Sequence, residues 1–396
     1  MMLHRRYFIA TAGAAGLLAA SAPRLSLAAA GTDRRLILIV LRGAMDGLGA
    51  VVPYADPDYR SVRGPLALAE PGQEGGVLDL DGRFGLHPAL SSLHDWWGQQ
   101  QLLAVHAIAT PYRDRSHFDA QDLLDTGGVR AGDDTGWLNR ALARLGDGGK
   151  GLGLSLGQGV PLVLRGPVPV ASWAPSPLPE PSMDFMDRIA GLYSNDPVLG
   201  PALMAGLGVA DMANGMDGNK KREGGKDRLV LAETAGRMLS DPAGPRIATL
   251  ELPGWDTHVG QGTVQGRLPS ALGQLAETMV TLRAAMESVW DQTLIAVVTE
   301  FGRTIRPNGT GGTDHGTAGV ALLAGGAVAG GRVLGEWPTL REDKLYEGRD
   351  LAPTTDMRAL LKGVLAGHLG MPATEIDRFV FPDGKAVRAL PELVKA

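Results

Sequence analysis

The chain has 396 residues, a mean hydropathy of +0.00, 20 % charged and 44 % hydrophobic residues, and a formal net charge of −5. These values exclude a disordered chain and a multi-span membrane protein, and the mildly acidic balance offers no footprint for nucleic acid or anionic lipid. There is no cysteine, so disulfides, thiolate metal sites and a cysteine nucleophile are excluded, and 56 glycines imply many tight turns.

The N-terminus reads as a leader. His4-Arg5-Arg6-Tyr7-Phe8-Ile9 is followed by an apolar run to Ala22 and by the small-residue stretch Ser26-Leu27-Ala28-Ala29-Ala30. Basic, apolar and A-x-A-like regions in that order form a signal peptide over residues 1–30. Its paired arginines point to the twin-arginine (Tat) route. The expected location is therefore the periplasm or the exterior, with the Tat translocase as a transient partner. The apolar run is shorter than the ~20 residues a stable membrane span needs. Residues 1–30 hold three arginines and no acid, so their removal takes the net charge from −5 to −8.

Residues 31–396 are expected to form one α/β domain. Leu36 to Leu41 is a continuous apolar, β-branched run, as in a strand buried on both faces. It ends in Arg42-Gly43-Ala44-Met45-Asp46-Gly47. His87-Pro88 opens a helix with Leu90, Leu93 and Trp97 at helical spacing. A second strand, Leu102 to Ala109, contains His106, read as a core histidine, and runs into Arg115-Ser116-His117-Phe118, where a helix over about 117–125 begins. Residues 145–226 look irregular, with short strands near Leu162-Val163-Leu164 and Val168 to Val170 and an exposed loop over 211–226. A helix over about 227–239, a strand Ile247 to Leu252, a long helix from Leu268 to Val289 and a strand Thr293 to Thr299 follow. Val320 to Leu323 reads as a further strand, and a last helix spans about 355–369. This order implies a doubly wound, mainly parallel sheet sandwiched by helices.

Metal-type residues cluster where these strands end. Asp46 follows the first strand, Ser116 and His117 the second, Asp256 and His258 the third, and Glu300 the fourth, with Asp314 and His315 on the next loop. Parallel α/β sheets bind ligands beyond the carboxyl ends of their strands. Carboxylate and imidazole donors there suit one or two divalent cations, Zn²⁺ first, with Mn²⁺ or Ca²⁺ as alternatives. Ser116 at a helix start beside a cation is a candidate nucleophile, and Arg115 and Arg303 are candidate oxyanion donors. Plainer roles stand beside these: Asp46 and Ser116 as helix caps, His87 as a cap, Glu300 as a partner for Arg303. The loop after the first strand lacks G-x-G-x-x-G, which argues against a dinucleotide enzyme.

Six segments carry a resemblance: Leu41 to Leu48, Arg115 to Gln121, Thr135 to Arg140, Trp255-Asp256-Thr257-His258, Thr299 to Thr304 and Asn308 to Gly316. In content and order they resemble the DUF1501 family, Tat-exported bacterial proteins placed in the alkaline phosphatase-like superfamily. The resemblance implies an alkaline phosphatase-like sandwich with a metal centre. It matches Asp46, Asp256, His258 and His315 to ligand positions and Ser116 to the nucleophile. The sequence departs from the superfamily in two places. Its Asp/His pair is two residues apart rather than four, and the strand that usually ends in Asp-His ends in Glu300-Phe301-Gly302. The Cys/Ser-x-Pro-x-Arg sulfatase signature is absent. The function expected is an exported metal-dependent hydrolase of a phosphate or related ester, its small-molecule or polymer substrate undefined. A non-catalytic periplasmic binding or assembly protein on the same fold is the alternative.

Overall fold

Strand β1 (Arg35–Arg42) is the middle of the molecule and explains its own sequence. Ile37, Ile39 and Leu41 enter one hydrophobic core and Leu36, Leu38 and Val40 enter another, so neither face tolerates a polar residue. Each such side chain, fully buried, contributes about 1.5–3 kcal/mol. The computed structural model describes residues 32–129, 131–146, 151–175, 181–214 and 227–395. The leader read in residues 1–30 lies outside them, as do residues 215–226 of the expected exposed loop.

In chain order, β1 is followed by helix α1 (Gly47–Ala50), β2 (Val51–Val52), α2 (Tyr59–Arg63), β3 (Leu78–Asp79), β4 (Gly85–Leu86), α3 (Ser91–Gly98) and β5 (Leu102–Ala109). Next come α4 (His117–Thr126), α5 (Trp137–Leu142), β6 (Gly153–Leu156), β7 (Ala171–Trp173), α6 (Met183–Tyr193), α7 (Leu199–Asn214) and α8 (Asp227–Ser240). The chain continues through β8 (Ile247–Pro253), α9 (Arg267–Ala285), β9 (Thr293–Thr299), β10 (Gly319–Ala324), β11 (Arg332–Leu334), β12 (Thr355–Asp356) and α10 (Met357–Gly367).

The main sheet has the order β11-β5-β10-β9-β1-β8-β6-β7, with β12 paired to β5. All its pairings are parallel except those of β10, which runs antiparallel to both β5 and β9. Helices α3, α8 and α9 pack one face, and α4, α5 and α10 the other. The protein is thus mixed α/β, with a mainly parallel central sheet covered by helices on both faces.

Two local readings change. Leu162–Leu164 is a turn of 3-10 helix rather than a strand, and β7 begins at Ala171, after the expected strand. The stretch read as irregular extends the sheet by β6 and β7 and adds the helices α6 and α7. Residues 211–214, expected in a loop, finish α7. His87 caps a helical turn by accepting from Ala89 N at 2.9 Å. His106 is buried in β5, its Nε2 against Val51 O at 2.9 Å, and burial lowers it to about 4. No helix among the described residues is long and apolar enough to cross a membrane.

Candidate metal centre

Four loops at the carboxyl edge of the sheet meet, and backbone contact brings them together. Gly43, after β1, sits at φ +120°, and a Cβ there would lie 2.6 Å from Asp256 N. A Cβ at Gly312 would lie 2.3 Å from the backbone of His258. Only glycine lets these segments approach so closely.

The apices of the loops carry His117, Asp256 and His315, whose ligand atoms lie within 4.8 Å of one another. His258 joins them. Its Nε2 is 3.0 Å from Asp256 Oδ1 and 3.0 Å from His315 Nε2. His315 Nε2 is 3.4 Å from Asp256 Oδ1, and His117 Nε2 is 3.7 Å from Asp256 Oδ2. Donors around one Zn²⁺ at 2.0–2.1 Å would be about 3.3–3.4 Å apart; the distances from His315 and His117 to the Asp256 oxygens, 3.4 and 3.7 Å, are close to that value, and His258 lies beside this group of three rather than within it.

Each imidazole is oriented from behind. His117 Nδ1 is 2.8 Å from Glu300 Oε1, His258 Nδ1 is 3.1 Å from Asp314 Oδ1, and His315 Nδ1 is 2.9 Å from the Arg115 carbonyl. All three partners accept hydrogen bonds, so each Nδ1 carries the proton and each Nε2 keeps its lone pair. Two such lone pairs facing across 3.0 Å need a shared proton or cation between them. His117 Nε2 is buried and has no hydrogen-bond partner. Phe301 stacks on the His117 ring at 4.9 Å and fixes its plane.

The electrostatics follow from these partners. The hydrogen bond to Glu300 raises His117 against the opposing effect of burial. Burial is the largest influence on His315 and lowers it. Burial opposes ionisation of Asp256, but the hydrogen bond and charge of Arg303, with His258 and His315, outweigh it and lower the carboxyl. Glu300 is fully buried, yet its hydrogen bonds from His117, Gln121 and Gly43 N keep it low. Asp314 is lowered mainly by its hydrogen bond from Asn308.

The structure brings together Asp256, His258 and His315 of the residues singled out from sequence. Glu300 and Asp314 stand one step behind, each holding an imidazole. Asp46 is not at the cluster. It is buried, paired with the Arg63 guanidinium, and accepts from Gln261 Nε2 at 2.6 Å and Leu48 N at 3.2 Å. Gln261 in turn accepts from Thr257 and Thr313, so Asp46 braces the loop that carries Asp256 and His258. The Arg303 guanidinium, also buried, is engaged with Asp256 and Thr313. Arg115 pairs with Asp350 at 2.8 Å and Glu347 at 2.6 Å. Ser116 occupies the N-cap position of α4, but its side chain makes no capping bond.

His117 is the residue that sequence reasoning passed over in favour of its neighbour Ser116. A signal was present: His117, Gln121 and Asp125 recur every four residues along one face of α4, and polar groups at that spacing share a target. His117 and Gln121 both meet Glu300, and Asp125 meets Arg42.

The fold and cluster define an α/β protein with a His/Asp group able to hold a cation. The family model described as "Protein of unknown function (DUF1501)" matches residues 196–380, just under half of the chain, and supports the resemblance to that family. That stretch carries Asp256, His258, Glu300, Arg303, Asp314 and His315, whereas Ser116 and His117 precede it. No curated protein matches the chain. Among solved structures, the C-terminal periplasmic domain of EcEptC from Escherichia coli in complex with Zn is similar at 11 % identity and TM-score 0.31, covering 74 % of this chain and 74 % of that one. Another structure of that domain gives TM-score 0.32 at 11 % identity, over 74 % and 73 % of the two chains. Ps i-CgsB in complex with k-i-k-neocarrahexaose gives TM-score 0.38 at 10 % identity, covering 90 % of this chain and 77 % of that one.

Proposed function

We propose that this chain is an exported metal-dependent hydrolase of a phosphate or related ester, on an alkaline phosphatase-like variant of the α/β fold. One divalent cation is held by His117, Asp256 and His315, with His258 beside them. The observation that carries the reading is the orientation of the three imidazoles: each gives its Nδ1–H to an acceptor behind it and turns Nε2 inward around Asp256. Imidazole nitrogens and a carboxylate oxygen suit Zn²⁺ better than Ca²⁺. When bound, the cation polarises an ester oxygen and makes a nearby hydroxyl or water more acidic.

The chain's own residues then have distinct tasks. Ser116 adjoins His117, caps nothing, and is the candidate nucleophile. Glu300 and Asp314 fix imidazole tautomers. Arg303 holds Asp256, and the Arg115 carbonyl holds His315, so both arginines are positioning residues. With Asp46 neutralised by Arg63, one cation rather than two is expected. The leader read in residues 1–30 supports export through the Tat route.

The second reading, a non-catalytic binding or assembly protein, is supported by the engagement of both arginines in ion pairs, away from a substrate oxyanion.

Metal analysis by plasma mass spectrometry tests the proposal. About one equivalent of metal is expected in the folded protein, and none in Asp256→Ala/His258→Ala or His117→Ala. A metal-free wild type purified without chelator overturns it. Given metal, turnover of any phosphate, phosphodiester or sulfate ester that is abolished in Ser116→Ala selects the hydrolase. A loss-of-function phenotype fully complemented by Ser116→Ala selects the binding protein.

A further inference from the structure

The peptide unit that joins Arg115 to Ser116 is held at both edges. Its carbonyl accepts from His315 Nδ1 at 2.9 Å, and its N–H, on Ser116, donates to the Tyr112 hydroxyl at 3.3 Å. A peptide unit is planar, with C=O and N–H pointing opposite ways, so the two contacts fix one rigid plate. The Tyr112 hydroxyl donates in turn to Asp119 Oδ2 at 3.2 Å. A carboxylate only accepts, so the phenol proton goes to Asp119 and a phenol lone pair is left for the Ser116 N–H. The Tyr112 ring packs against Ala44, Ala120 and Phe301, and Phe301 stacks on His117 at 4.9 Å.

Backbone preference does not hold this plate in place. Arg115 sits at φ +60°, a left-handed conformation that non-glycine residues rarely adopt. Such a residue persists only where its surroundings over-determine it. Here the Arg115 side chain is bound to Asp350 at 2.8 Å, its carbonyl to His315 and the following amide to Tyr112. A half-turn of the plate would aim the N–H at His315. His315 Nδ1 would then have to accept, its proton would move to Nε2, and the lone pair turned toward Asp256 would be lost. His117 and His258 do not share this weakness. Their Nδ1 partners are the carboxylates of Glu300 and Asp314, which cannot become donors by a peptide flip.

We propose that Tyr112 is a positioning residue of the metal centre: its hydroxyl latches the Arg115–Ser116 peptide and so keeps His315 in the tautomer that offers Nε2 to a cation. The latch has a direction. In the flipped plate the Arg115 carbonyl would face a phenol whose proton is committed to Asp119, and two acceptors would meet. The consequence for metal binding rests on the proposed function; the fixed tautomer of His315 does not.

Tyr112→Phe keeps the ring and removes only the hydroxyl. On the full-length, metal-free protein, magnetisation-transfer NMR with isotope-labelled histidine reads the exchange of each imidazole N–H with water. Exchange at His315 should rise about 3- to 10-fold, the worth of one hydrogen bond, and stay unchanged at His117. Zn²⁺ affinity in a chelator competition should weaken by a similar factor while a thermal melt shows the variant folded. Asp119→Ala, which frees the phenol to turn, should give the same pattern to a smaller extent. Unchanged exchange at His315 in Tyr112→Phe overturns the proposal. So does an equal rise at His117, the mark of general loosening, or faster exchange at His315 with Zn²⁺ affinity unchanged. A wild type that binds no Zn²⁺ overturns the proposed function instead, and the exchange rates then decide this inference by themselves.

Discussion

Glu300 and Asp46 are both fully buried carboxylates that follow strands, and their partners set them apart. Glu300 takes hydrogen bonds from His117, Gln121 and the Gly43 amide, so its charge serves the imidazole at the cluster. Asp46 faces Arg63, which is itself fully buried. The two give opposite responses to substitution. Glu300→Gln replaces an acceptor with an amide that must also donate, and should lower metal affinity about 10- to 100-fold in a chelator competition while the protein stays folded. Asp46→Ala strands a buried guanidinium and should cost about 3–5 kcal/mol of stability in a denaturant melt. The protein that remains folded should lose less metal than Glu300→Gln does, because Asp46 braces the Asp256 and His258 loop through Gln261 and holds no imidazole. Metal loss in folded Asp46→Ala together with full retention in Glu300→Gln would reverse these assignments.

Among the elements, the loops after the strands matter more than the strands. β1 and β9 end where Gly43 N reaches Glu300 and Thr299 Oγ1 donates to Leu41 O at 2.8 Å, so the two strand ends are tied together. Gly43 holds a positive φ and lies against the Asp256 backbone. A methyl group there strains its own backbone and pushes away the loop that carries Asp256 and His258. Gly43→Ala should therefore cost more than about 1 kcal/mol and also lower metal content, read by a denaturant melt alongside metal analysis. A stability loss without metal loss would show that the loop absorbs the displacement. Helix α4 has a matching role. Its first turn presents His117 to the cluster, and its last turn delivers Asp125 to Arg42 at the end of β1.

At the scale of the whole molecule, the Asp125–Arg42–Glu251 chain ties α4, β1 and β8 together. Burial is the largest influence on Asp125 and lifts its carboxyl to about 6 despite Arg42. An acid raised in the folded state binds its proton more tightly there than in the unfolded chain. Its contribution to stability is complete below the ordinary carboxylate range and declines as pH rises through about 6. Asp125→Asn removes that titration. The Tm of the variant minus that of the wild type should therefore increase between about pH 4 and pH 7. A difference that stays flat, or falls, across this window would show that Arg42 holds the carboxyl ionised throughout.

The local elements were legible because burial on both sides writes itself into short segments. β1, β5, β8 and β9 are apolar runs with narrow limits, and α9 repeats its core residues at helical spacing. The placing of metal-type residues at strand ends was also visible, since a parallel sheet delivers its ends to one edge, as were the three resembling segments that fall within residues 196–380. Other features depended on partners far away in the chain. The direction of β10 is set by its pairing with β5 and β9. α6 and α7 lay within a glycine- and proline-rich stretch whose composition reads as loop. The division of carboxylates into those beside the cluster, behind it and away from it rests on residues such as Arg63, Gln261 and Arg303, whose side chains carry no mark of where they will reach. The sequence by itself determined which segments pack and which residue types reach the sheet edge, because hydrophobic periodicity is local. Only the tertiary structure decided that His117 faces the cluster and that Asp46 braces a loop. Hydrogen-bond partners are allocated across hundreds of residues once the sheet is assembled.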